Sequence, residues 1–552
     1  MTSPTSAHQG LPNTAPGTVL GTTETDVSAP DVSDPAALAG WHHLTVEPRR
    51  PERVRRLPRG YLLAVAAVCV GAFMGQLDAS IVTLAFPSLE HSFHSDVASV
   101  SWVGLSYLLV LVATVAAVGR FADMVGRKLL YLYGFVIFVA GSVLCALAPN
   151  LLALDGFRAV QAVGAAMLQA NSVAIIALAV PRRRLGRALG MQGAAQALGL
   201  ALGPSVGGLL LVVGGWRLLF LVNVPVGLVG LVAALLFVPR STQLSGRVEF
   251  DWSGFALFFP AVAALVFAIS QGDHLGWTSP LILMALVGTV GLGLAFVGRE
   301  RRARHPMVDL TLFRRTPFTA GVSSSLLAFL VLFGVLVVVP FFLERAEGFG
   351  TVRTGLELMM MPVALGLVAP WSGRMADSLG VRLPAVTGLG MVAGGLALLA
   401  VLHPATPGFL ALLALVGAGL GLFTSPNNAG IMASVPAQQS GLASGLLNMS
   451  RGLGTAMGLA VATAVFSALG GDGGGPPTVG RAVSVTFGVL AGVAVLAAVI
   501  TAVGSSSRPL ADRAGGASAG GVSPGLASAG LQEPRVAQAE LDPVGEPEPA
   551  PA

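Results

Sequence analysis

Charge is what this sequence has least of. Only 11% of its 552 residues are Asp, Glu, Lys or Arg, 54% are apolar, and the mean hydropathy is +0.77. Soluble proteins are about a quarter charged, so a set of soluble globular domains is excluded. Cysteine is nearly absent: Cys69 and Cys145 both lie inside apolar runs, which rules out a disulfide framework. Lysine is rarer still. The basic side is 31 Arg and one Lys, Lys128, between Arg127 and Leu129. Without Gly-Lys-Ser/Thr there is no phosphate-binding P-loop, and a Lys in a short polar loop is a poor Schiff base. The arginine bias reads as GC-rich coding and points to a bacterium. Glycine and proline are plentiful but follow no collagen-like triplet. A β-barrel would show alternating segments of roughly ten residues, whereas the apolar runs here are long and unbroken. What remains is an all-α polytopic membrane protein.

Residues 1–57 and 505–552 are low-complexity stretches read as disordered tails. The first ends in a basic cluster that includes Arg49, Arg50, Arg53 and Arg55, and no cleavable signal peptide is evident. Between the tails lie fourteen apolar stretches of spanning length, taking about 20 residues for each crossing. They include 61–86, 99–118, 188–212, 355–371 and 483–503. Twenty-six of the 32 basic residues fall in the tails and the even-numbered connections. Four, Arg217, Arg345, Arg353 and Arg481, fall in the odd ones, while Arg158 and Arg451 lie within spans. By the positive-inside rule both termini are expected in the cytoplasm of a multi-pass cell-membrane protein. Trp102, Trp216 and Trp277, at the outer ends of spans, are expected to be interfacial anchors.

One segment repeats. GRFADMVGRK (Gly119 to Lys128) follows the second span, and SGRMADSLGVR (Ser372 to Arg382) follows the tenth, at an offset of 254 residues. Two six-helix halves, 58–240 and 306–504, separated by an inserted pair in 241–305, would produce that offset.

These residues carry a family resemblance over about 60–505. The chain resembles the major facilitator superfamily, and within it the fourteen-helix drug:proton antiporters of the EmrB/QacA-like branch. GRFADMVGRK is similar to the superfamily's signature loop. LDASIVTLAFP (Leu77 to Pro87) resembles the branch's acid-bearing motif in helix 1, and FRAVQAVGAA (Phe157 to Ala166) the helix 4 motif with its buried arginine. GLALGPSVGG (Gly199 to Gly208) resembles the helix 5 antiporter signature. WRLLFLVNVPVG (Trp216 to Gly227) and DWSG (Asp251 to Gly254) are further marks of the branch. The chain departs from the pattern at Phe121 and Met124, and its thirteenth span has no acid, although some members use one there.

Asp78 is the sharpest single feature. A charge at the bilayer centre costs roughly 2.5–3.5 kcal/mol on insertion scales, so it should face the bundle interior. Asp78 lies eight residues before its helix ends and Arg158 seven after its own begins. At 1.5 Å per residue both sit about 10–12 Å below the outer surface, the depth a pair requires. Two readings stand: a proton carrier modulated by Arg158, or a static ion pair between helices 1 and 4. Asp155 and Glu357 are expected to be solvated at the outer rim. Arg451, near the midplane, either meets an anionic or polar substrate group or pairs with an acid of another helix.

Gly119, Asp123, Gly126, Arg127, Gly373, Asp377 and Gly380 are expected to form gating latches; topogenic charge with a helix cap is the plainer reading. Gly199, Gly203 and Gly207, with Pro204 and Gly208 beside them, form a small-residue ladder for close helix approach, to which the resemblance adds a seal against proton leak. Gln76, Gln161, Asn171, Gln196, Asn427 and Asn448 supply uncharged polarity, either to a cavity or to neighbouring helices.

The resemblance implies a monomeric proton-driven exporter of hydrophobic or amphiphilic small molecules such as drugs. Its partners would be substrate, protons and membrane lipid, with no nucleic acid, metal or cofactor. An exporter of one endogenous metabolite or lipid is the closest rival. A membrane-embedded enzyme lacks a metal or nucleophile constellation, and a sensor lacks a partner-binding domain.

Overall fold

The computed structural model describes residues 47–57, 59–241, 249–402, 406–471 and 475–505. The remainder of both tails lies outside the described residues. Among the described residues, fourteen helices are long and apolar enough to cross a membrane. They are α1 (Gly60–Ile81), α2 (Ser99–Val125), α3 (Arg127–Ala146), α4 (Leu151–Ala179), α5 (Arg182–Gly214), α6 (Trp216–Phe237), α7 (Trp252–Leu275), α8 (Pro280–Glu300), α9 (Thr316–Ala346), α10 (Arg353–Leu379), α11 (Arg382–Leu402), α12 (Thr406–Ala433), α13 (Ala437–Ala468) and α14 (Pro476–Gly504). Several overshoot the apolar run that marks them: α2 continues from 118 to Val125 and α10 from 371 to Leu379. The repeated segment is therefore mostly helix, not loop. Gly119 and Asp123 lie on the last turns of α2, Gly373 and Asp377 on those of α10. The breaks fall at Gly126 (φ 129°) and Gly380 (φ 86°), backbone positions that a side chain would strain.

Packing obeys one offset. α1 packs on α5 as α9 does on α13, α2 on α4 as α10 on α12, and α3 on α6 as α11 on α14. Adding eight to a helix number thus maps the first half onto the second. The halves meet where α2 and α4 pack on α13, and where α5 packs on α10 and α12. Aromatic residues Tyr131, Phe135 and Phe138 fill the core of the first half, and Phe423, Phe466 and Phe487 that of the second. The inserted pair sits outside this arrangement. α7 lies along α2 and α13, and α8 packs on α7 while exposing Met284, Val287, Val290 and Leu294. In an apolar solvent such a helix needs no further cover.

Two expectations are corrected. Trp216 is buried against Phe93 and Phe220, with ring centroids 5.4 and 6.2 Å away, so it is core and not an anchor. Trp102 and Trp277 are exposed as expected, and Trp252 and Trp371 join them. Glu357 is buried and paired with Arg353 at 2.9 Å, not solvated.

Residues just before α1 are fastened to the α2–α3 turn. Glu47 Oε1 accepts from the Lys128 backbone N–H (3.0 Å) and the Ser241 hydroxyl (2.8 Å). Lys128 is 1% exposed, and its Nζ donates to the Pro48 and Leu235 carbonyls, each at 2.9 Å.

Candidate functional site: a sealed ion pair and two latches

One turn either way along the chain, Met74, Gly75, Ile81 and Val82 offer Asp78 no polar side chain, and tertiary packing supplies its partners from α4 and α6. Asp78 is 0% exposed, and its Oδ2 accepts from Arg158 Nη1 of α4 at 2.9 Å. Its Oδ1 accepts from Gln161 Nε2 (3.0 Å) and from Asn223 Nδ2 of α6 (2.7 Å). Gln161 also donates to the Ser142 hydroxyl of α3 at 2.8 Å. Arg158 donates further to the Val103 carbonyl (3.1 Å) and to Gln161 Oε1 (2.6 Å), and lies 4.1 Å from the Tyr107 ring centroid. Two polar atoms facing this cluster, Tyr107 Oη and Asn223 Oδ1, have no hydrogen-bond partner. A buried ion pair repays its desolvation only when the remaining lone pairs and protons are satisfied, and the two amides do that for the carboxylate.

Depth counting along the chain brought Asp78 and Arg158 together, and the structure pairs them. Gln161 belongs to their cluster and not to a substrate cavity. Asn223, Ser142 and Tyr107 were missed. Asn223 had a usable signal, since it is a lone amide in the apolar run of α6.

The ladder on α5 packs against α1 at this level. A Cβ on Gly199 would fall on the Phe73 carbonyl oxygen, and one on Gly203 on the Ser80 hydroxyl. At Gly207 it would meet Ile81 and Leu84, both at 2.7 Å. Gly208 has open space around it and takes no part. Pro204 lies inside the helix beside this contact.

At the end of the bundle carrying the repeated segments, each half holds the other by a carboxylate on a helix N-terminus. Asp123 of α2 accepts from the Gly441 and Leu442 N–H groups of α13, at 2.8 and 2.9 Å. Asp377 of α10 accepts from the Gly186 and Arg187 N–H groups of α5, at 2.8 and 3.1 Å. Negative charge at a helix N-terminus satisfies orphan donors and the helix dipole together. Arg127 buttresses the first latch: its Nη2 reaches Asp123 Oδ1 at 2.5 Å and the Ala437 carbonyl at 2.8 Å. Backbones touch at both places, because a Cβ on Gly119 would fall on the Gly441 carbonyl and one on Gly373 on that of Gly186. Nearby, Asp309 ties the α8–α9 connection to α13 by accepting from Gln439 at 2.9 Å. Partial burial favours its neutral form, but the Thr311 hydroxyl and N–H and the Gln439 amide hold its carboxyl below the usual range.

Between the halves is a cavity of about 30 Å³, lined by Gln76, Gln196, Phe329, Leu365, Leu420 and Thr424 among others. That is room for one or two waters, well short of the roughly 300–1,000 Å³ of a ligand site. Of the amides expected there, only Gln76 and Gln196 line it. Asn427 donates to the Gly321 carbonyl (3.0 Å) and the Ser325 hydroxyl (2.8 Å), joining α12 to α9. Asn448 donates to the Gln169 carbonyl at 3.0 Å, joining α13 to α4, and Asn171 to Met167 of its own helix at 2.7 Å. Arg451 donates to Asn428 at 2.6 Å.

The profile of the Major Facilitator Superfamily matches residues 68–459 and 354–529. The chain is 36% identical over 398 residues to the multidrug resistance protein Stp of Mycobacterium tuberculosis, covering 72% of this chain and 74% of that protein. It is 31% identical to the riboflavin transporter RibZ of Clostridioides difficile (71% and 85% covered). Identity is also 31% to the tetracenomycin C resistance and export protein of Streptomyces glaucescens (71% and 73%). Among solved structures, the human organic anion transporter MFSD10 (TETRAN) shares the fold with a TM-score of 0.59 at 15% identity, covering 81% of this chain and 100% of that one. The proton:xylose symporter XylE does so at 0.58 and 14%, covering 82% and 98%. Fourteen membrane helices, an internal repeat and these matches together make the chain a member of the major facilitator superfamily, a family of transporters and not of enzymes.

Proposed function

We propose that the protein is a proton-coupled antiporter that exports hydrophobic or amphiphilic small molecules by alternating access, with Asp78 as proton carrier and Arg158 as its modulator. The observation that carries this reading is the sealed Asp78 cluster. An acid held at 0% exposure among α1, α3, α4 and α6 exchanges a proton only when those helices part. Protonation would leave Arg158 with the Gln161 and Val103 oxygens it already contacts, so the cation is not stranded. Proton uptake and helix movement are then one event. The latches fit the same cycle, fastened in the contracted state described here and released when the halves rock. The excess of basic residues in the tails and even-numbered connections supports a cytoplasmic latched end, with both termini on that side. No P-loop is present in the sequence, which favours an ion gradient as the energy source.

The test uses everted vesicles with a preset pH gradient. Substrate addition dissipates the gradient with the wild type and gives no signal with Asp78→Asn. Coupled export that survives this substitution would sink the carrier assignment. Relatives named for multidrug resistance and for a single product, tetracenomycin C, bracket the breadth of substrate. A toxicity panel in an efflux-deficient host separates the two: broad protection supports a multidrug exporter, and protection against one compound a dedicated one.

A further inference from the structure

Arg451 is a buried cation without a counter-charge. It is 4% exposed on α13 and donates from Nη2 to Asn428 Oδ1, while its Nε has no hydrogen-bond partner. Among the described residues no carboxylate lies within ion-pair distance of it. The other deeply buried cations are all provided for: Arg127 by Asp123, Arg158 by Asp78, and Lys128 by two carbonyls. Fourteen residues into α13, Arg451 sits about 20 Å from the latched end at 1.5 Å per residue, near the middle of the bilayer. A cation kept there is costly and calls for a counter-charge, and the described residues of the second half offer none.

Its surroundings indicate where a partner would come from. The guanidinium lies 4.9 Å from the ring centroid of Phe329. Phe329 lines the cavity between the halves, and so does Thr424, one helical turn before Asn428 on α12. Arg451 therefore stands directly behind the cavity wall, with an aromatic ring between it and the space. The rest of that wall is apolar (Leu332, Leu365, Leu420), relieved by two amides, Gln76 and Gln196. An occupant matching both features has an apolar body and one ionised acid.

We infer that Arg451 is the anion-recognition residue of this cavity, screened by Phe329 in the contracted state, and that it selects apolar molecules carrying a carboxylate or an equally acidic hydroxyl. When the halves part, rotation of Phe329 exchanges a cation–π contact for a charge-assisted hydrogen bond to the substrate. Asn428 holds the guanidinium in place while this happens. The inference narrows the export reading and rests on it for the word substrate; binding itself is independent of transport.

The test compares pyrenebutyrate with its neutral amide, which share one fluorescent apolar body, by anisotropy on the purified full-length protein. The wild type binds the carboxylate more tightly on the order of tenfold or more, the worth of a hydrogen bond to a charged group. Arg451→Gln removes the preference and keeps amide binding, Arg451→Lys keeps part of the preference, and Phe329→Ala widens it. Equal binding of the two probes by the wild type, or failure to bind the carboxylate, overturns the inference. So does an Arg451→Gln variant that still discriminates, and a Phe329→Ala variant that leaves the ratio unchanged overturns the screening role. Uptake of the same pair into energised everted vesicles separates this from the broader reading. Selective binding without accumulation refutes export and leaves the anion site standing. Accumulation of both probes alike leaves export standing and refutes the site.

Discussion

Two buried arginines, Arg158 and Arg451, should respond in opposite ways to removal. Arg158 neutralises Asp78, so Arg158→Met leaves a carboxylate in the bundle with two amides and no cation. Stranding one partner of a buried pair costs about 3–5 kcal/mol. The melting midpoint in detergent should fall sharply, and Asp78→Asn added to it should recover most of the loss. Arg451 neutralises no carboxylate among the described residues. Arg451→Met should hold or raise the melting midpoint, as expected for a residue kept for function at the expense of stability. A large fall would mean that Arg451 has a structural partner after all. The sequence showed the two arginines only as exceptions to an apolar rule. Equal depth suggested the pairing of one, because depth can be counted along a helix. The absence of a partner for the other depends on three helices coming together, which no count reveals.

On α5, the four-residue spacing of Gly199, Gly203 and Gly207 reads directly as a face, and α1 occupies that face. Gly208 falls one position off it and meets nothing. Gly199→Ala, whose Cβ would fall on a backbone oxygen that cannot swing away, should lower the melting midpoint by an overpacking cost of about 1–3 kcal/mol and raise passive proton leak in vesicles. Gly208→Ala should change neither. Element ends were less legible than element faces. Hydropathy marks where lipid contact stops, whereas α2 and α10 continue for about two more turns because their polar ends meet the other half. The acids that fasten the halves read from the sequence as helix-end residues able to meet a helix N-terminus, but which helix receives each is not legible there. Trp216 was misread for a related reason: its position near a span end was visible, but the Phe93 ring that buries it comes from a separate short helix.

Across the whole molecule, the 254-residue repeat foretold two latches, and the structure adds that they are crossed: each half provides one acid and receives the other. Both contacts lie at the same end, so in the proposed alternating-access cycle they would bias one equilibrium between closed and open forms of that end. Releasing one should then loosen the other. Ser444 of α13 is fully buried against Gln169, beside the Asp123 latch and away from Asp377. A Ser444→Cys reporter should be alkylated faster when Asp377→Ala is introduced, and the double release of Asp123 and Asp377 should fall short of the sum of the single effects. Additive rates would mean two independent clasps. The helix count and the two halves were readable because lipid imposes length and sign rules on every span. Which amides face a cavity and which join helices was not. An asparagine that bonds a neighbouring carbonyl and one that awaits a ligand look the same in sequence.

The scarcity of lysine has a practical consequence. Apart from its amino terminus the chain carries a single primary amine, that of Lys128, capped by two carbonyls beside the α2–α3 turn. Amine-reactive reagents therefore find almost nothing to modify while that turn is fastened, and one defined site once it lets go. The unmodified protein thus carries its own reporter on the contacts of Lys128 with Pro48 and Leu235, readable as one mass increment beyond that of the amino terminus, without an engineered label.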